Sequence, residues 1–533
     1  MSAAWIKPPE SSSSPYTIKN ARVPLVLLSI AEDNASIRNG GIGDDADDSS
    51  KGTPEVALTN SSSKIDRALS SSYSGDRDGL VLVDITVKDG IIAQIKASSS
   101  AEEEEEEEEE GRNEQQLGTI FLDAKKGVCM PTFCDIHTHV DKSHTCERSR
   151  NESGSLAGAD KSCQIDEIHW TEEELTARME FSLKTAYAHG TSAIRTHLMS
   201  GPTQGALTWP VFMKLREKWK GRIELQGVSL SILSFFKDEH ASRNLARTVK
   251  AHKGILGAAV SCSDYGGTDL DPFTTCGDEL HTLLDKVFQL AIEFELDLDF
   301  HVDENGNEES KGLLHISDAA IRNNYKGQIV CGHCCSLAAQ TPENLEIMLQ
   351  AAKRANITIV SLPLVNQWLQ NRCEVGEKTP RRRGIPLLKE IAARNIPVCL
   401  ASDNIRDQFY GYGDLDMLEV FRLSVFIAHL DRPSLGDWPK AVTSTPAHAM
   451  GLGETHGLLK EGGPANFVLF RGRQYSELFS RSQHDRLVVR NGKWIAATVP
   501  DYDELDPILA HHALSKTQPL IENYNKENRK TTV

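Results

Sequence analysis

Between residues 128 and 401, short apolar runs alternate with longer stretches of helical character, and this rhythm constrains the fold of the 533-residue chain more than any other feature. The runs are Val128–Ile136, Ser192–Leu198, Ile223–Ile232, Ile255–Ser261, Leu296–Val302, Gln328–Gly332, Ile357–Leu364 and Ile396–Ala401. Strands buried on both faces read as near-continuous apolar segments, and parallel strands need a crossover, usually helical, to bring the chain back. Thr171 and Glu174 form a capping box that opens a helix ending near Gly190. Further helices are expected through Leu280–Glu295, Thr341–Ala355 and Ile385–Arg394. Eight such units predict an α/β fold, a closed (β/α)8 TIM barrel, over residues 128–454. A doubly wound open sheet is the alternative, but no glycine-rich phosphate fingerprint follows the first run.

Strand patterns bracket this region. Tyr16–Leu28, Leu80–Val87, Ile91–Ile95 and Thr119–Leu122 precede it, and Asn466–Phe470, Arg486–Val489 and Trp494–Thr498 follow it. Asp89-Gly90 and Asn491-Gly492 are two-residue hairpin signals. The flanks 16–127 and 455–500 are expected to join into one small β-sandwich domain. Residues 1–15 read as a polar, disordered start and 515–533 as a polar tail. Segments 33–78 and 99–116 read as polar insertions, the second carrying the run Glu102–Glu110 as a self-repelling, solvated spacer.

Net charge is −18, and setting the glutamate run aside leaves about −9, unremarkable for this length. No basic footprint of a nucleic-acid binder is present, and Arg381-Arg382-Arg383 reads as a solvated loop. No apolar stretch approaches membrane-spanning length, and residues 1–15 lack a charged region followed by an apolar core, so a secretory signal is not expected. The 11 cysteines follow no repeating frame, and several, such as Cys262, Cys331 and Cys399, sit in strand-like runs. Free buried thiols in a reducing, cytoplasmic setting are expected, with the chain acting as a homo-oligomer.

Active sites of such barrels lie at the C-terminal ends of the strands. The first run closes on His137-Thr138-His139, two imidazoles one residue apart and therefore on one face. The fifth closes on His301, Asp303 and Glu304, the sixth on His333, and the eighth on Asp403 and Asn404. Three histidines and a carboxylate (His137, His139, His301, Asp403) suit one Zn2+ or Fe2+ ion with a position left for water, whose pKa the ion lowers to roughly 7. Glu304 is placed to shuttle protons, and His333 or Asp403 to handle the attacking water or the developing oxyanion. Asp141, Lys142, Asn404 and Phe409 are candidate substrate contacts. Each site residue also has a bland reading: His301 as a core histidine, Asp403 as a helix cap, Asp141 with Lys142 as a structural ion pair. His197, ending the second run, either lines the site or packs.

The segment Pro131-Thr132-Phe133-Cys134-Asp135-Ile136-His137-Thr138-His139-Val140-Asp141-Lys142 resembles the first metal motif of the amidohydrolase superfamily. His301-Val302-Asp303-Glu304, Pro363-Leu364-Val365-Asn366, Arg382-Arg383-Gly384, Ser402-Asp403-Asn404 and Tyr412-Gly413-Asp414 resemble its bacterial cytosine deaminase and triazine aminohydrolase branch. The resemblance spans roughly residues 80–500. It implies ligands His137, His139, His301 and Asp403, a proton shuttle at Glu304 and a hydroxide- or oxyanion-facing His333. Ile255–Ser261 holds no lysine of the kind two-metal members use, which implies a mononuclear site. Val228-Ser229-Leu230-Ser231-Ile232 lacks the glutamine with which the cytosine enzymes read the pyrimidine edge, and Asn404 stands where they commonly carry a second aspartate. Both departures concern substrate recognition, not the metal. The expected activity is hydrolysis of a C–N bond in a small nitrogen heterocycle, by deamination or amide hydrolysis, with water as co-substrate. A cyclic-amide or N-substituted-amine hydrolase is the alternative within the superfamily. A non-catalytic barrel scaffold with acidic partner-binding segments is the alternative outside it.

Overall fold

The computed structural model describes residues 5–6, 14–29, 75–98, 119–201, 203–261, 277–370, 372, 379–496 and 498–513. Residues 33–74 of the insertion 33–78, the segment 99–116 with its glutamate run, most of 1–15, the tail 515–533 and Cys262 lie outside them. Two compact units are present: Met1–Met130 with Leu459–Trp494, and Pro131–Leu458 with Ile495–Val533. No helix among the described residues is long and apolar enough to cross a membrane.

The chain opens with β1 (Tyr16–Pro24), β2 (Leu28–Ser29), β3 (Leu80–Lys88), β4 (Ile91–Ala97), β5 (Ile120–Asp123) and β6 (Cys129–Pro131). β7 (Phe133–Thr138) follows at once. The run Val128–Ile136 is therefore two strands broken at Thr132. Val128 donates to Gly472 O and accepts from Phe470, whereas Phe133 donates to Gly190 O. Pro131 has no N–H to carry a single ladder through the run.

Seven more strands continue the second unit: β8 (Thr191–Met199), β9 (Glu224–Leu230), β10 (Leu256–Val260), β11 (Leu298–Val302), β12 (Ile329–His333), β13 (Ile357–Ser361) and β14 (Val398–Leu400). Helices separate them. α1 (Leu156–Glu167) and α2 (Glu172–His189) follow β7, and α3 (Gly205–Trp219), α4 (Glu239–Ala251), α5 (Gly277–Phe294), α6 (Gly312–Arg322) and α7 (Pro342–Arg354) follow the next strands in turn. α8 (Pro363–Leu369) and α9 (Leu388–Ala393) follow β13, and α10 (Met417–Ala428) follows β14. α2 is capped as its sequence dictates: Thr171 Oγ1 accepts from Glu174 N, and Gly190 ends it at φ +94°. The strand expected to reach Leu364 stops at Ser361, because Pro363 sits at the start of α8, where a missing N–H costs nothing.

β7-β8-β9 form one parallel sheet and β10 to β14 another. Parallel bridges Val228↔Ile255 and Ile232↔Ala259 join the β9 and β10 segments, and Thr138↔Asp403 joins the end of β7 to the residues after β14. Ile136, Ala193, Val330 and Val360 of these strands, with Ala401 just after β14, pack into one buried cluster.

The chain returns to the first unit with β15 (Leu459–Lys460), β16 (Phe467–Leu469), β17 (Leu487–Arg490) and β18 (Lys493–Trp494). Its larger sheets run β4-β3-β1-β5 and β18-β17-β16-β6, and they share one apolar core that includes Ile18, Val83, Ile85, Phe467 and Val489. Asp89 and Gly90 (φ +53° and +83°) and Asn491 and Gly492 (φ +48° and +73°) turn the two hairpins. The strand expected to reach Thr498 ends at Trp494. The cysteines resolved here, Cys331 and Cys399 included, are free and mostly buried.

Candidate metal centre

The C-terminal ends of β7, β11, β12 and β14 bring their polar residues to one place. His139 Nε2 lies 3.2 Å from His301 Nε2 and 3.2 Å from Asp403 Oδ1, and His137 Nε2 lies 3.6 Å from the same oxygen. The rings of His137 and His139 are 5.3 Å apart, as a pair on one strand end requires. Gly332 makes room for this: a Cβ there would meet the His137 ring at 2.9 Å. Asp403 is carried to the site by Asp403 N donating to His137 O at 2.9 Å and by its own left-handed backbone, φ +68°. His333 (φ +67°) and Asp303 (φ +41°) share that uncommon conformation, so backbone strain collects around the cluster.

Electrostatics in the cluster favour a cation. Burial, and then neighbouring imidazoles and Lys142, hold His137 and His139 well below the usual histidine range. His301 is held down by burial and then by His333. Neutral imidazole is the form that binds metal. Burial, and then Glu304, push the Asp403 carboxyl well above its ordinary range. Both Asp403 oxygens, both His137 ring nitrogens and the Nδ1 atoms of His139 and His301 lack a hydrogen-bond partner although buried. Two neutral imidazole nitrogens 3.2 Å apart, facing a buried carboxylate, match a single divalent ion with N and O ligands.

Donor atoms of His137, His139 and His301 lie within 4.8 Å of one another, as do those of His137, His333 and Asp403, and those of His137, His197 and Asp299. The last set is the weaker one. Arg195 already pairs with Asp299 at 2.9 Å, and neither His197 nor Asp299 lines the adjoining cleft, whereas His139, His301, His333 and Asp403 do. His197 instead stacks under His137, with ring centroids 4.0 Å apart.

A partly enclosed, largely apolar cleft opens beside the cluster. Lys142, Asn404 and Phe409 line it together with Glu304. Asp141 lies outside that lining: its Oδ2 accepts from Met199 N at 2.7 Å, tying the loop after β7 to the end of β8. Asn404 lines the cleft while donating to Asp407 Oδ2 at 2.7 Å. Asp303 lines the cleft as well, with its Oδ2 accepting from Gly312 N at 2.6 Å; a Cβ on Gly312 would meet that carboxylate at 2.8 Å.

Four further groups at the site were given no role from sequence, although Asn366 stands in one of the motifs that carry the resemblance. Asn366 and Gln370, on and just after α8, hold Glu304: Asn366 Nδ2 lies 3.3 Å from Glu304 Oε1 and 2.9 Å from His333 Nδ1, and Gln370 Nε2 donates to Glu304 O at 2.7 Å. Asp160 and Cys163 reach the cleft from α1. The spacing Leu156, Asp160, Cys163 (i, i+4, i+7) was the available signal for the α1 face.

Residues 237–496 match the amidohydrolase family. Over 433 residues the chain is 41% identical to the pterin deaminase of Rhizobium rhizogenes (strain K84 / ATCC BAA-868), covering 81% of this chain and 92% of that protein. Identity to the N-isopropylammelide isopropyl amidohydrolase of Pseudomonas sp. (strain ADP) is 24% over 380 residues, 70% of this chain and 87% of the relative. Among solved structures, 5-methylcytosine deaminase from Klebsiella pneumoniae with 5-fluorocytosine superposes with a TM-score of 0.64 at 22% identity, over 79% of this chain and 95% of that one, a likeness of fold.

Proposed function

Because the chain belongs to the amidohydrolase family and is a hydrolase of carbon–nitrogen bonds, we propose that it deaminates a pterin-like substrate, a fused nitrogen heterocycle bearing an amino group on an amidine carbon. The observation that carries this reading is the 41% identity to a pterin deaminase across 92% of that protein. The cleft agrees with it. Leu230, Ser231 and Ile232 line the wall where the cytosine enzymes carry a glutamine, and Phe409 supplies an aromatic face for a planar ring. In this reading the eight parallel strands close a (β/α)8 barrel, and the two flanking sheets form a β sandwich.

His137, His139, His301 and Asp403 are the residues we assign to one divalent cation, Zn2+ or Fe2+. When bound, the ion supplies Lewis acidity and makes water acidic enough to attack at neutral pH. The chain's own groups manage the protons. Asp403 takes the proton released as the new C–O bond forms. Glu304 protonates a ring nitrogen beside the attacked carbon, takes the proton of the new hydroxyl as its oxygen becomes the carbonyl, and passes that proton to the amino group; the C–N bond breaks to release ammonia, and the proton held by Asp403 returns to Glu304 to reset the pair. His333 acts as a donor: its Nδ1 accepts from Asn366, so the proton sits on Nε2, which has no partner among the described residues. Burial, and then Lys142, lower the His333 pKa to about 3, so the ring stays neutral while it hydrogen-bonds the developing oxyanion.

Pterin incubated with the full chain should yield the 2,4-dioxo product and one equivalent of ammonia per turnover. The 24% identity to an isopropylammelide hydrolase favours a second reading, release of an alkylamine from a substituted ring. Assaying pterin, cytosine and N-alkylamino-triazines side by side separates the two. Turnover of the triazines without pterin would overturn the first.

A further inference from the structure

α1 is an extra helix in the connection after β7, and one of its faces turns Leu156, Asp160 and Cys163 into the cleft. The Asp160 carboxylate is half-buried there, with Oδ2 accepting from Gln164 Nε2 at 2.7 Å. Lys142, 3% exposed, lines the same cleft, its ammonium 4.2 Å from the centre of the Phe409 ring. Burial works against that ammonium, but Cys163, Asp407, Asp141 and Asp403 around it outweigh burial and keep it charged. The two groups feel each other: burial raises the Asp160 carboxyl and Lys142 lowers it. Yet among the described residues no carboxylate oxygen comes within 4.0 Å of Lys142 Nζ, and the ammonium makes no hydrogen bond. A buried cation whose near neighbour is an aromatic face has room left for an oxygen. The cleft thus presents a donor and an acceptor that do not satisfy one another.

We propose that Lys142 and Asp160 read a lactam edge of the substrate, Lys142 donating to its carbonyl oxygen and Asp160 accepting from the adjacent ring N–H or exocyclic amine. The inference rests on the deaminase reading above and narrows its substrates to heterocycles with a 2-amino-4-oxo pattern. An analogue with an amine in place of the carbonyl would set donor against donor at Lys142. Sites built to hydrogen-bond one group reject an analogue lacking it far more strongly than apolar pockets reject a change of size.

The test uses the full-length metal-loaded enzyme with pterin and with 2,4-diaminopteridine, in which an amine replaces the carbonyl and the adjacent ring N–H is lost with it. Wild type should prefer pterin by about 100-fold or more in kcat/KM. Lys142→Met should keep its ion, lose about 100-fold on pterin and show almost no preference between the two substrates. Asp160→Asn, which keeps an oxygen to accept from Gln164, should raise KM for pterin by about 10-fold with kcat little changed. If both variants kept the wild-type preference and KM, the lactam-reading pair would be overturned while the deaminase reading stood. A wild-type enzyme inert towards every 2-amino-4-oxo heterocycle would instead overturn the functional reading and this inference with it. Should Lys142→Met fail to fold, an unchanged KM in Asp160→Asn overturns the pair alone.

Discussion

Asn366 donates its amide to His333 Nδ1 across 2.9 Å. The same NH2 group lies 3.3 Å from Glu304 Oε1, and that carboxylate fixes which end of the amide faces inward, since an amide oxygen there would meet it with like charge. One side chain thereby sets both the tautomer of His333 and the position of Glu304. Asn366→Leu should lower kcat by about 10- to 100-fold while leaving KM and bound metal close to wild type. A parallel fall in metal content would mean the residue serves the ion site instead.

Glu304 Oε1 lies 3.6 Å from His333 Nδ1 and its side chain lines the cleft without belonging to the coordinating cluster. Glu304→Gln removes only the transferable proton. Metal analysis should find the ion retained, and ammonia release should drop by about 100- to 10,000-fold. Near-normal turnover would take Glu304 out of the mechanism.

Asp403 is steadied through its neighbour. Ser402 donates from both N and Oγ to the buried carboxylate of Asp135, whose pKa burial pushes up to about 7. This clamps the end of β14 against β7, two residues below His137. Ser402→Ala leaves Asp135 Oδ2 unsatisfied and should cost about 1–3 kcal/mol of stability. Thermal melting reads that loss, and the rate of ion loss to a chelator should rise with it.

His144 is buried against Phe181, with ring centroids 4.7 Å apart, and neither ring nitrogen finds a partner among the described residues. Burial, then Arg406 and Arg178, draw its pKa down to about 3 from the model-peptide 6.5. Between those values the unfolded chain binds the proton and the folded chain does not, so stability falls as pH drops below about 6.5. At pH 5 the loss amounts to about 2 kcal/mol. His144→Leu should flatten that part of the stability–pH curve, as melts at pH 7 and pH 5 would show.

The ion cluster could be read from sequence because each of its residues ends an apolar strand, and strand ends in parallel α/β folds share one edge. His137, His139, His301, His333 and Asp403 meet for that reason. The role of Asn366 was not legible by the same logic, although its motif was: the apolar run expected to reach Leu364 ends at Ser361, and Pro363 starts the helix that carries Asn366 to Glu304 and His333. α1 went unread because its inward face includes Asp160 and the small Cys163, leaving little hydrophobic periodicity to see. His197 and Asp299 were ambiguous or unnoticed since their partners, His137 and Arg195, come from other strands.

The central claim is that one ion, held by side chains from three strands and their ends, supports deamination of a pterin-type ring. Metal content and ammonia release should be followed together as the purified chain is stripped by a chelator and reloaded. The account predicts one ion per chain, activity on pterin that disappears with the ion, and recovery on adding one equivalent of Zn2+ or Fe2+. Full activity in the stripped protein, or a stoichiometrically loaded protein that releases no ammonia from pterin, would contradict it.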